Sequence, residues 1–286
     1  MSITERSPRL FVKIRREDLP QIRDRYPCIY LEHGRLEVDD SSIKWIDHEG
    51  GVIHLPAATL QSLMLGPGTS VTHEAIKVLA SLKCTTMWVG EDSLLYYATG
   101  ISPTADTRNF LRQIQAATDP ARSICVARRM YARRFPDADL SSKSLPEMMG
   151  LEGIRVKKLY AEKSRIYGVS WHGRRFTPGS CNASHIPNRL LTSFNAALYG
   201  ILSSVIHASG FSPYIGFIHS GCPLPFVYDM ADLYKSELCI DLAFKLTAEL
   251  HGNYDRKIVS AAFREKVLEI DLLGRVVDDI NEMIGE

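Results

Sequence analysis

The sequence has no C-x-x-C pair. Its six cysteines, at positions 28, 84, 125, 181, 222 and 239, are widely spaced. That excludes a zinc-ribbon site and a dense disulfide framework, and reads as free thiols in a reducing compartment, the cytoplasm. Charge of one sign is also missing: 34 Lys and Arg against 33 Asp and Glu leave a net +1. The chain as a whole therefore advertises neither an acidic nor a basic partner. The stretch MSITERSPRLFVKIRRED at the N-terminus lacks the apolar core of a signal peptide. Apolar runs are short and interrupted, so no membrane span is expected. There is no internal repeat and no low-complexity tract.

What is present is an ordinary globular composition. The 286 residues are 45% hydrophobic and 23% charged, enough for one large domain or two modest ones with a sizeable core. The first hundred residues read as strands. CIYLEH, GRLEVDD, SIKWIDHEG and GVIHLP are short, alternating and rich in β-branched or aromatic residues, with Gly34 and the Gly50–Gly51 pair placed as hairpin turns. LQSLML and CTTMWVG read as buried strands, and SLLYYATG closes the sheet. Between them THEAIKVLASL has helical spacing, with Thr72 as N-cap.

After about Ser102 the period becomes helical. TRNFLRQIQAATD, PARSICVARRMYARRF, SLPEMMGLEGIRVKKLYAEKSRIYG, NRLLTSFNAALYGILSSVIHASG and DRKIVSAAFREKVLEIDLLGRVVDDINEMI all follow it. Asp119–Pro120 opens one helix, and Gly168 and Gly210 close two others. The expectation is an α+β protein, with a mostly β N-terminal domain over 1–101 and an all-α domain over 102–286.

The even net charge conceals a local excess. From Ala121 to Arg175 there are 13 Lys and Arg against 5 Asp and Glu, a net of +8. Such a segment is either a set of solvated helix faces or a surface for phosphates.

The chemistry concentrates in GFIHSGCPLPFVYDMADLYK, Gly216 to Lys235. Pro223 and Pro225 keep His219 in a loop or at an element end. A helix restarting near Phe226 puts Asp229, Asp232 and Lys235 on one face. Two carboxylates so placed repel unless a cation or proton lies between them. A divalent metal answers that, and so does the Lys235 ammonium. Glu152 is a third acid, set among Met148, Met149, Gly150, Leu151, Gly153 and Ile154, where a lone carboxylate is costly unless paired or coordinated. Gly150 and Gly153 each cost the helix about 1 kcal/mol. That is offset by close approach of a backbone or ligand, or by tight packing of a helix starting near Pro146. Glu152, His219 and one Asp together make a mixed N/O donor set for Mg²⁺ or Mn²⁺. The other eight histidines read as structural; His54 and His207 are expected at the surface or satisfied in the core.

These residues also carry a resemblance. GLEG around Glu152, the His219 segment and its D-x-x-D resemble the motifs of the CRISPR-associated adaptation integrase, CRISPR-associated protein one. LMLGPGTSVTHEA, YGVSWHGRRF and ALYG resemble its type I, subtype E members. The resemblance implies a β N-terminal domain and a helical, catalytic C-terminal domain. It implies Glu152, His219 and Asp232 as ligands of Mg²⁺ or Mn²⁺, Asp229 lining the same site and needed for chemistry, and Tyr199 and Lys235 beside it. Arg174 and Arg175 would belong to the surface near where the family reads the end of incoming DNA. One basic residue expected before VTH is replaced by Ser70. The implied activity is endonuclease and integrase chemistry: a 3′-hydroxyl of a short captured DNA attacks a phosphate of the CRISPR repeat. DNA binding is expected on Arg128, Arg129, Arg133, Arg134, Lys157, Lys158, Arg174 and Arg175. Trp171 and Phe176 either stack on unpaired bases or pack inside. The implied partners are double-stranded and partly single-stranded DNA, a second copy of the chain as homodimer, and the small CRISPR-associated protein two subunit, with no membrane. Two other readings use the same residues: a stand-alone metal-dependent DNase for repair intermediates, and a non-catalytic DNA-binding scaffold in which Asp232 and Lys235 form a structural ion pair. A small-molecule metallohydrolase would leave the basic helices unexplained.

Overall fold

The structure, a computed structural model, describes residues 19–39, 42–91, 96–100, 107–174, 185–251 and 253–285. Eight strands come first: β1 (Tyr26–Leu31), β2 (Gly34–Asp39), β3 (Ser42–Asp47), β4 (Val52–Leu55), β5 (Leu60–Leu65), β6 (Thr69–Val71), β7 (Thr85–Val89) and β8 (Tyr96–Gly100). Helix α1 (His73–Ser81) lies between β6 and β7, and the Thr72 hydroxyl caps it by accepting from the Ala75 N–H at 3.3 Å. The remaining helices are α2 (Arg108–Thr118), α3 (Pro120–Arg134), α4 (Leu145–Tyr167), α5 (Ile186–Ala208), α6 (Pro225–Ala231), α7 (Leu242–Glu249), α8 (Arg256–Glu269) and α9 (Leu272–Ile284). A strand region followed by a helical region is the expected class.

The strands form two four-stranded sheets, in order β1-β5-β7-β8 and β4-β3-β2-β6. This corrects the reading of Gly34 as a hairpin turn. β1 pairs in parallel with β5, whereas β2 pairs with β3 and β6. The chain changes sheet at His33, whose φ is 53°. Gly34 is needed for a different reason: a Cβ there would lie 2.3 Å from the buried Trp45 ring. Gly50, at φ 88°, does turn the chain from β3 to β4.

The described residues form two cores. A small one, with Leu36, Ile43, Trp45, Leu60, Leu63 and Leu79, sits within the strand region under α1. The large one joins the helices to the first sheet through Met64, Met87 and Val89. Helix α5 lies at its centre against β5. A Cβ at Gly200 would come within 2.8 Å of Met64 Cε, so the glycine lets helix and sheet meet. α5 is longer than the short apolar runs expected from the sequence: it is 23 residues long and apolar enough to cross a bilayer, but most of it is buried in the protein. At the edge of the two regions Arg256 of α8 donates to the Tyr30 hydroxyl at 2.8 Å and pairs with Glu32.

The segment read as helical over 255–284 is two helices. Val259, Phe263 and Val267 recur every four residues, and the buried set resumes out of phase at Leu272, Val276 and Ile280. A continuous helix cannot keep both sets on the core. Asp271 absorbs the shift with a left-handed φ of 47°.

Candidate active site

The site is built on segments too short to hold themselves. Helix α6 has seven residues, well below the length at which a helix persists alone in water. It is held by burial instead: Phe226, Val227, Met230 and Ala231 are fully buried. A large apolar side chain so placed contributes roughly 1.5–3 kcal/mol. After Asp232 caps α6, Lys235–Asp241 continues as a π-helical turn with Leu238 and Cys239 fully buried. Wider turns of this kind recur at functional sites.

The loop before α6 is fixed from two sides. Gln113 of α2, fully buried, donates to Ser212 O and Ile215 O at 2.9 and 2.8 Å and accepts from the Ser212 N–H at 2.7 Å. Asp229 of α6, also fully buried, accepts backbone N–H bonds from Phe217, Ile218 and His219 at 2.6, 3.1 and 2.9 Å. Gly216 permits this wrap, because a Cβ there would lie 2.6 Å from His219 O and 2.9 Å from Asp229 Oδ2. The same carboxylate holds His219 Nδ1 at 2.7 Å. In the neutral ring, that bond favours the proton on Nδ1, which leaves Nε2 with its lone pair. Nε2 points toward Asp232 Oδ2, 4.0 Å away.

Asp232 and Asp229 thus divide their work. Asp232 faces Lys235, whose ammonium donates to Oδ1 at 2.8 Å, and Arg134, whose Nη1 lies 3.4 Å from Oδ2. Burial pushes the Asp232 carboxyl up, but Lys235 and Arg134 outweigh it and hold it below its usual range. Glu152 of α4 lies across from it, 3.6 Å from Arg134 Nη1 and 3.6 Å from Arg155 Nη1. There burial wins over the arginines, and the Glu152 carboxyl is raised. Tyr199 completes the wall, its ring centroid 5.0 Å from Lys235 Nζ and 4.9 Å from the Tyr228 ring. A cleft of about 700 Å³ opens here, lined by Tyr96, Tyr199, Tyr228, Arg174, His219 and Lys235 among others.

Glu152, His219, Asp229, Asp232, Tyr199 and Lys235 are therefore brought together. As the side chains stand, no three His, Cys, Asp or Glu among the described residues are close enough to share an ion. The donor set nevertheless suits one. Glu152 Oε2 is buried with no hydrogen-bond partner, a condition that a native site normally relieves. The expected tight packing of Gly150 and Gly153 is not found; a Cβ at either would meet nothing within 4 Å.

Among the described residues, the basic side chains divide between internal and exposed positions. Arg134 is buried, against the expectation that it contacts DNA. Arg128 donates to Lys143 O, Arg129 to Met283 O, and Arg133 pairs with Asp279 at 2.9 Å. Arg174 donates to Asn188 and Thr192 beside the cleft, and burial lowers its pKa. Lys157 and Lys158 are exposed on α4. Arg175 and Phe176 lie outside the described residues. Trp171 stacks on Tyr160 at 4.7 Å between ring centroids and packs against the large core. Ser70 is on the surface of β6, and His54 is exposed, while His207 Nδ1 bonds Ser203 O at 2.8 Å.

Sequence reasoning missed Gln113, Arg155 and the internal role of Arg134. A glutamine on the apolar side of α2 is a signal that could have found the first. The others needed the packing of α3 on α4.

The site thus combines a carboxylate-fixed histidine that faces Asp232 with a cleft carrying Arg174 and Lys235, on a strand region backed by a helical region. Residues 131–257 match the family described as CRISPR associated protein Cas1. The chain is 55% identical over 278 residues to CRISPR-associated endonuclease Cas1 2 of Chlorobaculum tepidum, covering 97% of this chain and 94% of that protein. It is 34% identical to CRISPR-associated endonuclease Cas1 of Escherichia coli K12, over 92% of this chain and 86% of that one. The solved TtCas1–DNA complex aligns with a TM-score of 0.68 at 39% identity, over 93% of this chain and 99% of that one. The chain belongs to the Cas1 family of CRISPR-associated proteins.

Proposed function

We propose that the protein is a cytoplasmic, divalent-metal-dependent DNA endonuclease and integrase that inserts short foreign DNA into a CRISPR array. The observation that carries this reading is His219: its Nδ1 is held by a buried carboxylate, and its Nε2 is left facing Asp232. Glu152, His219 and Asp232 would hold the ion. When bound, Mg²⁺ or Mn²⁺ lowers the pKa of an attacking hydroxyl and neutralises charge on the phosphate.

The chain's own residues supply the rest. Asp229 fixes the tautomer and direction of His219, with both its oxygens already committed to the 217–219 loop. This role favours orientation over binding a second ion. Lys235 keeps Asp232 charged and directed. Tyr199, Tyr228 and Tyr96 give the cleft aromatic faces, and Arg174 and Lys235 give it positive charge, which suits an unpaired DNA end. The reaction is transesterification: the 3′-oxygen of the incoming strand forms a bond to a repeat phosphorus as that phosphorus loses its bond to the repeat strand. One phosphodiester replaces another, so no external energy source is required. A homodimer working with the small CRISPR-associated protein two subunit completes the proposal; the relatives' names support the endonuclease part of it.

The scaffold reading has one observation on its side, the Asp232–Lys235 pair. It leaves the fixed histidine and the orphaned Glu152 oxygen without a purpose. The test is joining of a short duplex to a supercoiled plasmid that carries a repeat, with the small subunit and Mn²⁺ or Mg²⁺. His219→Ala is expected to lose at least about 100-fold in rate, the scale of a main electrostatic contribution. Cutting without joining, still dependent on His219, would reduce the function to that of a nuclease. Joining indifferent to His219 or to metal would sink the site.

A further inference from the structure

Arg134 was expected on the DNA surface, and its side chain is 3% exposed. No phosphate reaches it there. Its Nη1 instead lies against Glu152 Oε1 at 3.6 Å and Asp232 Oδ2 at 3.4 Å. These two carboxylates come from α4 and the end of α6, far apart in sequence. The arginine is fixed on its other side as well. Its Nε donates to Met130 O at 3.3 Å, and its guanidinium lies 4.3 Å from the Tyr131 ring centroid. It is therefore seated in the protein and not free to swing out.

The contacts are long. A charge-assisted N–H···O bond is about 2.8 Å, so Arg134 balances the carboxylates without saturating their lone pairs. Two polar atoms have no hydrogen-bond partner in the protein: Arg134 Nη2 and Glu152 Oε2, both buried. Remove the guanidinium, and two carboxylates face each other with only Lys235 and Arg155 at their outer sides. They would repel and turn apart, and an arriving ion would have to gather them again.

We propose that Arg134 is a positioning residue for the metal centre: a fixed internal cation that keeps Glu152 and Asp232 facing one another before the ion arrives. The inference rests on the metal-centre reading above. It differs from a competitor role, in which the guanidinium would occupy the ion's place and leave on binding. The seat on Tyr131 and Met130 favours a group that stays.

The test uses the full chain without DNA, titrated with Mn²⁺ by calorimetry, with circular dichroism to verify folding. Arg134→Gln is expected to weaken Mn²⁺ binding about 10- to 100-fold, the usual cost of losing a group that orients metal ligands. Arg134→Lys, which keeps the charge but not the reach, should weaken it less. Joining by Arg134→Gln should climb back toward wild type as Mn²⁺ is raised, a shift in metal requirement more than in maximal rate. A merely structural role would lower the melting temperature and leave Mn²⁺ affinity where it was, which would overturn the proposal. Tighter binding would overturn it too, in favour of the competitor. If Arg134→Gln does not fold, wild-type affinity in Arg134→Lys is the overturning result. Mn²⁺ binding that survives His219→Ala unchanged is a separate failure: it would remove the metal centre itself, and the positioning role with it.

Discussion

Helices α3 and α4 each carry a basic pair, Arg133–Arg134 and Lys157–Lys158, and the fold treats them oppositely. Arg133 pairs with Asp279 of α9 and Arg134 with Glu152 and Asp232. The two lysines project from the outer side of α4 and are exposed. The difference lies in what each helix packs against. α3 sits between α4 and α9 and meets their carboxylates, whereas this stretch of α4 has open space over Gly150 and Gly153. A run of positive charge is thus not yet a surface for nucleic acid. Its buried members organise the protein, and only those that water still reaches can release counterions from DNA.

The largest effect that would sharpen this contrast is expected where a charge works entirely inside. Asp229→Asn removes the negative charge that three backbone N–H groups and His219 share. Losing bonds to a charged group costs about 1.5–3 kcal/mol each at most, so a loss of about 3 kcal/mol in a urea titration is expected, with joining down about 100-fold. Wild-type stability in that variant would mean that the loop is held by something else.

Arg133→Ala comes next. It is half-exposed, so solvent screening limits the loss to about 1 kcal/mol, most of it from leaving buried Asp279 with Tyr234 alone. Because the Arg133 guanidinium is already paired with Asp279 and Glu282, its loss should change DNA affinity less than the loss of the two lysines. The double variant Lys157→Ala/Lys158→Ala should behave the other way. Stability should stay within about 0.5 kcal/mol, and the slope of log affinity against log salt should fall by about 2, close to one per phosphate contact. If the arginine variant moved the salt slope and the lysine variant did not, the division between inner and outer charge would be broken.

The smallest effect is on the thiols. Burial pushes the thiols of Cys84 and Cys239 up to about 12. They should resist alkylation in the native protein, while exposed Cys125 reacts. Modification of Cys239 without unfolding would show that the π-helical turn opens.

Much of this protein was legible in one dimension. Thr72, the Asp119–Pro120 pair and Gly168 mark helix ends where the structure has them, because capping depends on neighbours a few residues away. The strand segments were found by alternation, but β6 was missed: three residues carry too little pattern. Sheet membership was misread at Gly34, since a hairpin and a change of sheet look alike until the partner strand is known. In the site, His219, Asp229, Asp232 and Lys235 were picked out from one short stretch. The single helix expected to carry Asp229, Asp232 and Lys235 ends at Ala231, so Asp229 turns back on its own loop while Asp232, the C-cap, meets Lys235 of the next turn. Spacing alone does not distinguish a carboxylate that accepts backbone N–H groups from one that meets a cation.

By itself, then, the sequence determined the change from strand to helix, the turn and cap positions, and the acids and histidine available for chemistry. All of these depend on local periodicity and on side-chain type. Only the tertiary structure decided which charges meet. Glu152 and Asp232 come together across Arg134 because α3, α4 and α6 pack around one core. In that low-dielectric setting a few ångströms separate a charge that binds DNA from one that holds a site in shape.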